Sequence, residues 1–113
     1  MQFENFILEI NNKMKSKCEQ LLHESCFYFK DNELTEIENI IDEKIDSDIA
    51  MKMIIKNQYQ EFENQDINID GFIRFRMKYL DHLCKSIVDG CVDRYLIRKT
   101  SLESVGISTD ELV

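Results

Sequence analysis

The sequence predicts an all-α fold, a small helical bundle of about four helices ending in one long C-terminal helix, residues 70–99. Three observations carry that prediction. There is no proline and there are only three glycines, at 71, 90 and 106, so little interrupts a helix. Few β-branched alternations occur, and apolar residues recur instead at helical spacing. Most clearly, Ile73, Met77, Leu80, Cys84, Ile87 and Cys91 fall on one narrow stripe at 100° per residue, widened by Leu83, Val88 and Tyr95.

In chain order, Phe3 to about Ser25 reads as the first helix, with Phe3, Phe6, Ile7, Ile10, Met14 and Leu21 inward. Cys26-Phe27-Tyr28-Phe29 is dense enough in aromatics to predict a buried corner. Lys30-Asp31-Asn32 is a turn signal, and a second helix follows to about Ile45, with Leu34, Ile37, Ile40 and Ile41 inward. Its start is either at this turn or at Thr35, which forms a capping-box pattern with Glu38. Its other side is acidic, with Glu36, Asp42, Glu43 and Asp46.

Asp46-Ser47-Asp48 predicts a cap or short break. A third helix runs to about Glu63, with Ile49, Met53, Ile55, Tyr59 and Phe62 as its core. A polar loop, 64–68, leads to the long helix, for which Asp70 is the expected N-cap. Gly71 admits close approach of a neighbour at its entry. Phe72, Phe75 and Tyr79 form a second apolar cluster on the flank of the stripe, and a helix apolar on two adjoining faces needs neighbours on both. Gly90 costs about 1 kcal/mol against alanine unless a helix crosses there. Residues 1–99 read as a single domain and 100–113 as a short frayed tail, the Ser108/Glu111 capping match being too brief to hold a helix.

The formal net charge is −8. Residues 70–99 hold seven Lys/Arg against four Asp/Glu, a net +3, which leaves −11 on the remainder. Acidic helices around a mildly basic rod predict charge matching inside the molecule. They also disfavour nucleic acid and anionic membranes, which attract net positive charge. The start, MQFENFILEINNK, does not resemble a signal peptide, and no apolar run approaches bilayer length. The expectation is therefore a cytoplasmic protein whose four cysteines (Cys18, Cys26, Cys84 and Cys91) are reduced and packed in the core.

Three stretches resemble the YtxC family of sporulation-associated proteins from spore-forming Firmicutes. Phe27-Tyr28-Phe29-Lys30-Asp31, with the acidic helix after it, is similar to the family's "YYF" patch. Ile69-Asp70-Gly71-Phe72-Ile73-Arg74-Phe75-Arg76 resembles its "(V/L)-(E/D)-G-F-x-R-F-R" signature. Ile87-Val88-Asp89 through Val92-Asp93-Arg94-Tyr95-Leu96 is similar to its "IVD…VDEYL" segment. The family's later "EF-x-x-LL-x-x-F" stretch has no counterpart, since residues 100–105 read TSLESV. The resemblance implies a cytosolic, sporulation-associated protein and brings no reaction, cofactor or catalytic residue with it.

Chemistry-bearing residues are few. Arg74 and Arg76 beside Gly71 could form a small-anion site, or the substrate-binding part of an enzyme, from guanidinium groups and helix-start amides. Their directions differ by about 160°, however, which favours Arg76 as the partner of a carboxylate on the second or third helix. His82, Ser86 and Asp89 project in parallel from one helix and lack the convergence a catalytic triad needs. No C-x-x-C or H-x-x-x-H pair suggests a metal, and no cofactor is implied. The prediction is a non-enzymatic interaction or regulatory protein. Gly71, Phe72, Arg74, Phe75, Arg76 and Tyr79 are its candidate residues for a protein partner, a homodimer contact or a small anion.

Overall fold

Helix α1 (Phe3–Ser25) forms one unbroken rod, and two further rods, each made of two helices, lie along it. The computed structural model describes residues 2–104. The second rod is α2 (Asp31–Ser47) followed by α3 (Ile49–Glu63). The third is α4 (Ile69–Phe75) followed by α5 (Met77–Ser104). Contacts fix the directions. Phe6 meets Phe72, and Lys17 pairs with Asp81, so α1 and α4–α5 run the same way. Lys15 with Asp46, His23 with Glu38 and Lys99 with Glu33 make α2 antiparallel to both.

Each break has a local cause or a local signature. Asp48 stands in extended backbone between α2 and α3, and its Oδ1 accepts from the Met51 amide at 3.0 Å, an ordinary N-cap. Arg76 separates α4 from α5 with φ −95° and ψ 8°, off the helical value of about −42° for ψ. Its amide still reaches the Phe72 carbonyl at 3.0 Å, and its own carbonyl accepts from Leu80 at 2.9 Å. The result is a bent rod, not two separated helices. The fold is all-α with a long C-terminal helix, as expected; the helix over 70–99 is divided at Arg76, so that five helices, not about four, lie among the described residues. Asn68, not Asp70, is the N-cap: its Oδ1 accepts from the Gly71 amide at 2.8 Å, two residues earlier than expected. At the other end α5 continues through Ser104, beyond the expected limit at Lys99. The remaining tail and the Ser108/Glu111 match lie outside the described residues.

The core follows the predicted stripes on α1 and α5, with Phe6, Ile10, Met14, Cys84, Ile87, Val88, Cys91 and Tyr95 buried. At one end an aromatic cluster forms, in which Phe6, Phe62 and Phe72 lie 5.3–6.0 Å apart by ring centroids. Tyr59 packs edge-on to Phe6 at 5.2 Å. Three expectations fail here. Met77 is partly exposed. Ile49 and Met53 face solvent, because α3 buries Met51, Ile55, Gln58 and Phe62 instead. The aromatic corner is split: Cys26 is buried, yet Phe27 is 82 % and Tyr28 64 % exposed.

All four cysteines are free thiols and buried. Cys18 lies on α1 with its Sγ 3.8 Å from the Cys84 carbonyl of α5. Its thiol is held well above the ordinary range by the hydrogen bond with the Cys84 thiol and by burial. These are core residues. Burial likewise pushes the Cys91 thiol up.

Candidate functional site

Gly71 stands close against the cap of its own helix. A Cβ there would meet Asn68 Oδ1 at 3.2 Å, the very atom that caps α4. The close approach is therefore within the chain, and the Gly71 amide is already bonded. Arg76 reaches back to α3, its Nη2 3.2 Å from Glu61 Oε2. The guanidinium also lies over the rings of Phe72 at 5.8 Å and Phe75 at 5.4 Å. Arg74 is exposed on the opposite side. The two arginines are not brought together.

The three apolar flank residues also separate. Phe72 is fully buried in the aromatic cluster, because α3 covers that side of the bent rod and supplies Phe62. Phe75 and Tyr79 stay outside, 66 % and 42 % exposed. They are four residues apart, and the carbonyl-to-amide bonds that run through Arg76 keep them on one face. Phe75 and Tyr79, with Arg76 at their edge, form an apolar surface bounded by a cation. Such a surface can bury itself against another protein; it holds no converging nucleophile, base or acid.

Two other features were outside the reach of sequence reasoning. Glu19 and His23 of α1 meet Glu38 of α2, with one ligand atom from each within 4.8 Å of the others. His23 Nε2 and Glu38 Oε1 are 2.5 Å apart, so a direct hydrogen bond between the two already accounts for much of this grouping. Spacing shows Glu19 and His23 on one helical face, but the register of α2 decides that Glu38 joins them. The second is Glu33, at the start of α2. It accepts from the Lys30 amide at 3.0 Å, from Lys99 Nζ at 2.8 Å and from the Tyr95 hydroxyl at 3.1 Å. These donors, Lys99 first, hold its carboxyl down at about 2.

Charge matching takes the form composition suggests. Lys15 of α1 and Arg98 of α5 pair with Asp46 and Glu36 on the acidic side of α2. Among the described residues no helix is long and apolar enough to cross a membrane. No curated protein and no solved structure matches this chain. Over residues 3–105 it does match the YtxC-like family, and the chain belongs to that family.

Proposed function

We propose that the chain is a non-enzymatic interaction protein of the cytoplasm, serving a regulatory role in sporulation. One observation carries the interaction part: Phe75 and Tyr79 present large aromatic surface to solvent on one face, beside the sequence signature that marks the family resemblance. Aromatic side chains are costly to leave in water, and they are the residue types that anchor protein interfaces. The sporulation part rests on the family resemblance. An anion site at Gly71–Arg76 is the weaker reading, since the Gly71 amide and the Arg76 guanidinium already have partners within the chain.

The test is made in a spore-forming host carrying this gene. Deleting the gene should lower the yield of heat-resistant spores. A Phe75→Ser/Tyr79→Ser variant should reproduce that loss while accumulating to normal levels with an unchanged helical spectrum. Normal sporulation by this folded double variant would refute the proposed role of the surface.

A further inference from the structure

We infer that a second copy of this chain docks antiparallel along the outward face of α5, with Gly90 at the closest approach. The inference rests on the interaction reading above and names its partner.

Gly90 is the starting point. It lies inside a 28-residue helix, where glycine is less favourable than alanine. Nothing among the described residues explains it: a Cβ at this position would meet none of their atoms within 4 Å. Gly71, by contrast, has its reason inside the fold. A glycine on an exposed helical face lets another helix come unusually near, and no neighbouring rod of this molecule uses that opening.

The residues around it fit a helical partner. Tyr79, Ser86, Gly90 and Ile97 recur at spacings of seven, four and seven, which places them in one line along the helix, all exposed. Large side chains stand at both ends and small ones in the middle. An antiparallel mate centred between Ser86 and Gly90 sets Ser86 of one copy over Gly90 of the other, and Tyr79 over Ile97.

Charge selects both the occupant and its direction. Lys78, His82 and Lys85 flank the first half of this face, and Asp89 and Asp93 the second, all exposed. Among the described residues none of Lys78, Lys85, Asp89 and Asp93 takes part in an ion pair. Arg94, which would blur the division, lies instead in the groove of α2 with Glu43 and Asp48. An antiparallel copy brings each basic half against an acidic half, twice by symmetry. A parallel copy would set like on like. The face is also nearly neutral on a chain of net charge −8, so two copies repel least when they meet here.

The test uses the full chain in sedimentation equilibrium over a concentration series. The mass should rise from 13.5 kDa toward twice that value. Gly90→Leu, which meets open space in the single chain, should fold with undiminished thermal stability and move the association midpoint up at least about tenfold. Direction is read by cross-linking. In an antiparallel pair the two Tyr79 positions are about 27 Å apart at 1.5 Å per residue. Tyr79→Cys alone and Ile97→Cys alone should then stay unlinked under mild oxidation, while their mixture forms a disulfide-linked pair. A strict monomer, association untouched by Gly90→Leu, or self-linking of Tyr79→Cys would each overturn the inference. The first of these leaves the interaction reading to its own spore assay. Normal sporulation by the Phe75→Ser/Tyr79→Ser variant, with the parent chain dimeric and its dimer sensitive to Gly90→Leu, would instead remove the sporulation role and keep the dimer.

Discussion

Arg74 and Arg76 differ by two positions and by almost everything physical. Arg76 pairs with Glu61, stacks on two rings and keeps only 27 % of its side chain exposed. Glu61 is half in water, so removing the arginine strands no buried charge, and the penalty for a lone internal ion does not apply. A partly screened pair with two cation–π contacts supports a loss of about 1–2 kcal/mol for Arg76→Ala. Arg74→Ala should stay within about 0.5 kcal/mol of the parent, as exposed substitutions do. Urea denaturation of both variants checks this. Equal stability of the two would mean the Arg76 contacts contribute nothing. Helical spacing was enough to set these side chains on opposite sides. It could not name Glu61, because the rotation of α3 about its own axis is set by Phe62 and Met51 meeting the core, not by its own pattern.

Helices α1 and α3 lie where the sequence predicts them, from Phe3 to Ser25 and from Ile49 to Glu63. The break at Arg76 is different, since neither proline nor glycine marks it, and an unbroken apolar period runs across it. The buried stripe of α3 is only half legible, in Ile55 and Phe62, for a similar reason. It passes through Gln58, and reading by apolar period discards a polar residue and settles on Ile49 and Met53. Of the second apolar face, Phe72 gains the neighbour that face requires, in Phe6 and Phe62, whereas Phe75 and Tyr79 do not. The two glycines give these elements a clean comparison. Gly90→Ala should stabilise the chain by about 1 kcal/mol, as it adds helix propensity and meets open space. Gly71→Ala should destabilise it, because the new methyl crowds the capping Asn68 oxygen at 3.2 Å. Thermal melts of the two variants, at a concentration low enough to keep chains apart, should shift in opposite directions. A fall for Gly90→Ala would mean that its surroundings are not open.

Along the 57 Å body the three rods are fastened differently at their two ends. One end is closed by Phe6, Phe62 and Phe72, which no change of pH can release. Toward the other end, Glu33 joins the first turn of α2 to Tyr95 and Lys99 near the close of α5, with its side chain only 12 % exposed. The net excess of acid was legible in the composition, but not that one carboxylate would gather three donors, because those donors lie up to 66 residues away from it. The consequence is a polarised acid sensitivity. An ordinary glutamate titrates near 4.5, and in the folded chain Glu33 is lowered to about 2. A lowered carboxylate contributes stability that is complete above pH 4.5 and disappears as pH falls from there to about 2. With solvent screening of the lysine, that contribution is about 1–2 kcal/mol. Chemical denaturation between pH 7 and pH 2.5 should therefore show Glu33→Gln less stable than the parent at neutral pH and nearly equal to it at the acid limit. Amide exchange at pH 4 and below should quicken first in the opening turn of α2 and the last turns of α5, while the aromatic end stays protected. A constant difference between the two chains across the whole range would mean that Glu33 acts through shape and not through its charge.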